Sequence, residues 1–295
     1  MNSEEISKLE KAGKIAVETI AYAKSFIKPG MLLIEIAEKI EKKIEELGGK
    51  PAFPVNLSIN EVAAHSTPLP DSKETAHGLL KVDLGVHIDG YVADTAFSLD
   101  LDNSSENKKL ISATENALKS ACSLVNQKSK IREIGSTIEK EIKSLGFQPI
   151  MNLSGHSIEP YNLHAGFTVP NYDNSQEKTL PSGVYAIEPF ATNGSGKIRD
   201  GKPSSIYAIT KSGNVRDSFS RSVLLYIREN YSTLPFCTRW IYKKFGSRCI
   251  VALQQIEQVG LIHQYPQLIE INNGKVAQAE NTVILLKDRK IITTE

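Results

Sequence analysis

Five side chains in this sequence are of types, and in surroundings, that suit metal chemistry. Asp83 and Asp94 lie in Lys81-Val-Asp-Leu-Gly-Val-His-Ile-Asp-Gly-Tyr-Val-Ala-Asp-Thr-Ala-Phe97. Glu188 is set inside the apolar run Gly183-Val-Tyr-Ala-Ile-Glu-Pro-Phe190, and Glu280 heads another, Ala279-Glu-Asn-Thr-Val-Ile-Leu-Leu286. His156 follows Gly155 in a glycine-flanked loop that also holds His164 and ends at Gly166. Charged side chains are seldom buried unless they are paired or bind a metal. Four carboxylates and one imidazole match two divalent cations sharing a bridging water, and oxygen-rich ligation suits Mn, Fe(II), Co or Zn. Such a pair, about 3.5 Å apart, lowers the pKa of the shared water and polarises a carbonyl. The chemistry indicated is hydrolysis of an amide or an ester.

Two of the five are placed by local rules. Asp89-Gly90 between apolar-rich runs signals a two-residue hairpin turn. In that register Ile88 faces Tyr91, Val86 faces Ala93 and Gly85 faces Asp94. Asp83 then shares a face with Asp94, as a diagonal neighbour about 8 Å away at the backbone. Gly85, opposite Asp94, leaves an empty space beside the pair. Two carboxylates so placed need a cation, a shared proton or solvent. A solvated outer hairpin face is the alternative that this segment alone leaves open, and another turn register would separate the two side chains.

The other three must be carried by a larger frame. Leu9, Ala12, Ala16 and Ile20 keep helical spacing up to Pro29-Gly30, and a second stripe runs through Leu33, Ile36, Ala37, Ile40, Ile44 and Leu47 to Gly48-Gly49. The pattern returns. Ile131, Ile134, Gly135, Ile138, Ile142, Leu145 and Gly146 repeat the second stripe at an offset of 98, down to Glu41-Lys42 and Glu139-Lys140. Leu110, Ala113 and Ala117 repeat the first helix at an offset of 101. Each helix pair precedes strand-like sequence: Val82 to Val86 and Tyr91 to Leu99 in one case, Phe167 to Val169 and Gly183 to Phe190 in the other. The pattern predicts two helix-helix-strand halves packing their strands into one curved sheet, with helices outside and a site between them.

Composition bounds the rest. In 295 residues, 35 Lys and Arg balance 34 Asp and Glu, 40% of the chain is hydrophobic and 23% charged. These values describe a chain that buries a sizeable core and exclude a disordered one. The balance of charge argues against a surface devoted to nucleic acid. Cys122, Cys237 and Cys249 form neither a disulfide framework nor a C-x-x-C zinc pair. No run approaches the about 20 apolar residues of a membrane span. The polar start, Met1 to Lys11, lacks a signal-peptide core, and the expected location is the cytoplasm.

Asp83 and Asp94 eleven residues apart, His156 in Gly-His-Ser, Glu188 in Ala-Ile-Glu-Pro and Glu280 in Ala-Gln-Ala-Glu resemble the ordered five-ligand set of the methionine aminopeptidases. The resemblance spans essentially the whole chain. It implies an α+β, pita-bread fold: two pseudo-symmetric halves around a curved antiparallel sheet with outer helices, formed by residues 1–194 and 266–295. It implies two divalent cations per chain (Co, Mn, Fe(II) or Zn) held by Asp83, Asp94, His156, Glu188 and Glu280, with Asp94 and Glu280 bridging. The implied activity is removal of the N-terminal methionine from nascent polypeptides, favouring small second residues, by a hydroxide that the metal pair activates. Catalytic roles carry over to His65 in Ala-Ala-His-Ser-Thr-Pro, His164 in Asn-Leu-His-Ala-Gly, and Glu188 as proton shuttle. The two histidines also contact substrate, and Phe53, Leu163 and Tyr265 line or edge the methionine pocket. Ala279 departs from the aromatic that often precedes the last glutamate.

The segment between Glu188 and Glu280 is longer than in type 1 enzymes, and a helical insertion there marks type 2. With no long leader before the catalytic part, the resemblance is to the archaeal type 2 form, expected to be a monomer. Residues 195–265 should form a helical, winged-helix-like insertion, with helices at Arg221–Glu229, Thr238–Phe245 and Ile250–Val259. Its eleven basic residues against four acidic ones allow a transient contact with ribosomal RNA. A solvated cap over one side of the cleft is the plainer reading. Two rival functions share the fold. An X-Pro peptidase usually carries an extra N-terminal domain, for which there is no room before Asp83. A non-catalytic binding relative would have lost metal ligands, and all five are here.

Overall fold

The structure is a computed structural model that describes residues 1–295. Its first helix starts where a cap requires it. The Asn2 side chain accepts from Glu5 N–H while Glu5 accepts from Asn2 N–H, a reciprocal capping box opening α1 (Ser3–Phe26). The stripe that follows builds α2 (Leu33–Glu46), which buries Leu33, Ile36, Ala37, Ile40 and Ile44. The repeat is α3 (Ser105–Leu124) and α4 (Ile131–Ser144). Both ends of α4 lie 98 residues after those of α2. Gly48 and Gly146 end these helices in left-handed conformation, at φ 82° and 86°, which glycine adopts without steric cost. Chains Lys50–Pro51 and Gln148–Pro149 continue the match as short strands.

Each helix pair covers strands of its own half. The hairpin Leu79–Ile88/Tyr91–Asp100 packs under α1 and α2 around Ile36, Ile40, Val82 and Val86. Lys50–Pro51 and Asn56–Ile59 both pair along the outer edge of Leu79–Ile88. In the second half an antiparallel five-stranded sheet runs in the order Lys290–Ile292, Asn281–Leu285, Gly183–Ile187, Ser154–Ile158, Thr168–Pro170. Its core under α3 and α4 includes Ile134, Ile138, Tyr185 and Val283. The halves meet where Ala96 bridges Glu280. The expected curved antiparallel sheet with outer helices is what the chain forms. No helix is long and apolar enough to cross a membrane.

The inserted segment differs from the expectation of a helical unit over 195–265. Its helices, α5 (Ser218–Tyr231), α6 (Thr238–Phe245) and α7 (Cys249–Gln258), occupy only the middle and surround a core of their own. Its flanks are long strands, Ile198–Ile209 and Ile262–Glu270, which pair with each other, and the second pairs in turn with Val62–Ala64 of the first half. The ladder between them is broken by register shifts on either side of Pro203, a residue with no N–H to donate. Those irregularities removed the alternation by which strands are read from sequence.

Candidate metal centre

The hairpin forms in the predicted register: Asp89 and Gly90 take φ 50° and 86° in the turn, and Gly85 faces Asp94. Asp83 and Asp94 therefore emerge on one face, and that face is the floor of a cavity of about 220 Å³. The space beside Gly85 is not empty, contrary to expectation. A Cβ there would lie 2.4 Å from Cε1 of Phe53, so the glycine makes room for an aromatic ring against the hairpin. His156 comes from the strand Ser154–Ile158, facing Ala186. Glu188 follows directly on the strand Gly183–Ile187, ahead of Pro189. Glu280 stands between the strands Val276–Gln278 and Asn281–Leu285. All five line the one cavity.

Ligand atoms of Asp94, His156 and Glu280 lie within 4.8 Å of one another. His156 Nε2 is 3.8 Å from Asp94 Oδ2 and 3.6 Å from Glu188 Oε1, beyond hydrogen-bond length. Gln278 Nε2 reaches Asp83 Oδ2 and Glu280 Oε2, each at 3.4 Å. Asp83 Oδ1 and Asp94 Oδ1 are buried with no hydrogen-bond partner, and no lysine or arginine forms an ion pair with any of the four carboxylates.

Electrostatics follow from that crowding. Burial pushes Asp83 up to about 7, with the Gln278 amide opposing. Asp94, Glu188 and Glu280 are raised well above the ordinary carboxylate range, by burial first and then by one another's charge. Burial, with His164 close by, lowers His156 to about 3. The donor set is thus a neutral imidazole among four mutually repelling carboxylates with unused oxygens. A divalent cation supplies the missing counter-charge, and the residues present fit such an ion.

The rest of the cavity wall divides by chemistry. Phe53, Leu163, Phe190, Ile206 and Pro235 are its apolar members. His65, His164 and Tyr265 are polar members of the same lining. His65 holds φ 57°, unusual for a non-glycine residue. Its Nδ1 lies 3.2 Å from Pro266 O, and its ring packs 5.4 Å from Tyr265. Burial, with His164 nearby, lowers His65 to about 4. The His164 ring is 4.3 Å from His156.

Every residue singled out from the sequence for this site lines the cavity. Several residues of the site were not singled out, among them Gln278, which bonds to Asp83 and Glu280 without lining the cavity. Gln278 was within reach, since it stands two residues before Glu280 and alternation turns both to one face. Asn56, paired with Asp83 across strands and carrying an unpartnered Oδ1, gave no signal in sequence. Neither did Ile206 or Pro235, which the insertion contributes. Ala279 is buried in the core beneath α3 and α4 and does not line the cavity.

Residues 7–223 match the sequence profile of metallopeptidase family M24. The methionine aminopeptidase of Pyrococcus abyssi is 46% identical over 298 residues, covering 99% of this chain and 100% of that one. Among solved structures, a thermophilic Arx1 aligns with a TM-score of 0.84 at 18% identity, covering 99% of this chain and 91% of that one. The methionine aminopeptidase of Thermotoga maritima aligns at 0.72 and 19%, covering 100% and 98%. These two similarities concern the fold.

Proposed function

The chain belongs to metallopeptidase family M24, and from that premise we propose that it is a type 2 methionine aminopeptidase, which removes the N-terminal methionine from new polypeptides whose second residue is small. The observation that carries the reading is that one cavity is lined both by the carboxylate-rich set and by apolar side chains, among them Phe53, Leu163, Ile206 and Pro235. Full-length similarity to the Pyrococcus abyssi methionine aminopeptidase supports the choice of methionine. The helical insertion between Glu188 and Glu280 supports the type 2 form.

Asp83, Asp94, His156, Glu188 and Glu280 would hold two divalent cations, with Asp94 and Glu280 shared between them. Such a pair supplies Lewis acidity, acidifying a water and polarising the scissile carbonyl. The protein's own groups do the rest. Glu188 takes a proton at its carboxylate from the attacking water and delivers it to the leaving amine nitrogen. His65 and His164 have different tasks. Pro266 O can only accept, so Nδ1 of His65 carries the proton and Nε2 offers a lone pair to a substrate N–H. His164, not tied to a carbonyl, donates to the substrate carbonyl oxygen as charge develops there. The apolar lining takes the methionine side chain, whose flexible thioether fits such a surface.

The test is release of methionine from Met-Ala-Ser, with an Ala-Pro peptide alongside, after chelation and after adding back Mn²⁺ or Co²⁺. Metal-dependent cleavage of the first peptide alone is expected. Cleavage of the Ala-Pro peptide instead would assign an X-Pro peptidase, and no cleavage of either would favour a binding protein on this fold.

A further inference from the structure

The seam joining the two halves of the sheet is not a regular ladder. Ala96 and Glu280 form one antiparallel bridge, with Glu280 N–H donating to Ala96 O at 3.0 Å and Ala96 N–H to Glu280 O at 3.4 Å. In an antiparallel ladder the next bonded pairs lie two residues away in either direction. These are Asp94 with Thr282, and Ser98 with Gln278. Neither pair bonds directly, backbone to backbone. Thr282 Oγ1 instead accepts from Asp94 N–H at 2.7 Å and donates to Asp94 O at 2.8 Å. Ser98 Oγ accepts from Gln278 N–H at 2.9 Å and donates to Gln278 O at 2.7 Å. Thr95 Oγ1 donates to Glu280 O at 2.9 Å. The backbone groups of Thr282 itself turn away, its N–H to Thr294 Oγ1 and its carbonyl to Thr293 N–H.

The arrangement is symmetric about the bridge: one hydroxyl from each half replaces one rung on each side. A hydroxyl has one proton and two lone pairs, so it satisfies an N–H and a C=O together. It also stands between strands that a direct rung would draw closer. Asp94 comes from one half and Glu280 from the other, and the replaced rungs flank both. Thr282 and Ser98 are 0% and 8% exposed, so water does not substitute for either hydroxyl.

We propose that Thr282 and Ser98 are positioning residues for the cation cage: as stand-ins for two missing rungs, they set the spacing between Asp94 and Glu280. The inference rests on the reading of those two carboxylates as shared ligands. Without the hydroxyl, the strands either close into a direct rung or leave Asp94 N–H and C=O unpaired, and in both cases Asp94 moves relative to Glu280.

Calorimetric titration of chelator-stripped protein with Mn²⁺, alongside melting of the metal-free protein, tests this. Thr282→Ser keeps the hydroxyl and binds as the wild type does. Thr282→Val keeps the shape but binds Mn²⁺ about tenfold more weakly or worse, the scale seen when a residue that orients a ligand is removed. Ser98→Ala binds more weakly in the same sense and decides the matter alone should Thr282→Val fail to fold. Thr19→Val is the control for a merely structural hydroxyl, since Thr19 is buried in α1 and donates to Ile15 O at 2.7 Å. It lowers the melting temperature and leaves Mn²⁺ affinity unchanged. Wild-type affinity in both Thr282→Val and Ser98→Ala overturns the inference, as does an equal loss in Thr19→Val. If the wild type binds no Mn²⁺, or Asp94→Asn binds it equally well, the metal-site reading falls and this inference with it.

Discussion

Glu41 and Glu139 hold the same place in the two halves, 98 residues apart on α2 and α4, and they behave differently. Each accepts from a backbone N–H of its own half, Val55 in one case and Asp173 in the other. Glu139 then pairs with Lys143, one turn along its own helix, with a quarter of its side chain exposed. Glu41 is buried. Its two oxygens take a bidentate fork from Arg239, both bonds 2.7 Å, and a bond from Trp240 Nε1 at 2.9 Å. Arg239 comes from α6, 198 residues away. The insertion has turned a surface loop cap into a buried junction. That junction ties together the segments of Phe53 and Asn56, of His65 through Thr67, and of Pro235, all at the cavity wall.

The halves also divide the site unequally. The first supplies Asp83 and Asp94 from one hairpin, the second supplies His156, Glu188 and Glu280 from three separate strand segments. If the second half carries the proton, Glu188→Gln should lower turnover on Met-Ala-Ser by about 10²–10⁴-fold, the usual contribution of a positioned acid-base group. Steady-state kinetics near the wild-type rate would remove Glu188 from that role.

The two glutamates offer the next largest effect. Glu41→Gln should destabilise the fold by about 3–5 kcal/mol, because it leaves the Arg239 charge buried and unpaired. Glu139→Gln should cost under about 1 kcal/mol, as exposed pairs do. Urea unfolding of the two variants measures the contrast, and equal losses would erase it. Smaller again is Gly85→Ala, where the new methyl meets the Phe53 ring. Overpacking of this kind costs about 1–3 kcal/mol, and it should raise KM for methionyl peptides by displacing the wall.

The last contrast concerns pH. Asp83, with a folded pKa of about 7 against an ordinary 3.8, and the other three carboxylates, raised well above their ordinary range, bind more protons folded than unfolded. Their contribution to stability therefore falls as pH rises. His65 and His156, lowered to about 4 and 3, act in the opposite sense, but only below their ordinary value of 6.5. Above that value the four carboxylates are opposed by Lys81, whose burial holds its ammonium well below the ordinary lysine range, and the four outweigh the one. Differential scanning calorimetry of chelated protein should show the melting temperature dropping from pH 6.5 to 8.5, and added Mn²⁺ should remove the slope. A rising melting temperature in the chelated protein would contradict the burial of these groups.

What was legible in the sequence was what local rules specify. Asp89-Gly90 determined the hairpin register and so the pairing of Asp83 with Asp94. The repeat at an offset of 98 located α2 and α4 and their closing glycines. The site's second half was legible as a set of misplaced acids and as a family resemblance, not as geometry, because strand order is not encoded locally. The partner of Glu41 was illegible for the same reason: nothing near residue 41 points to residue 239. The strands flanking the insertion were hidden by Gly201, Pro203 and their register shifts, and the hydroxyls of Ser98 and Thr282 look like ordinary strand residues until the seam they occupy is seen.

One observation bears most directly on the whole account: anomalous diffraction from crystals of this chain grown with Mn²⁺. Two anomalous peaks are expected in the cavity, both within bonding distance of Asp94 and Glu280, with Asp83 on one side and His156 and Glu188 on the other. A cavity without manganese, or manganese bound only elsewhere on the molecule, would contradict it.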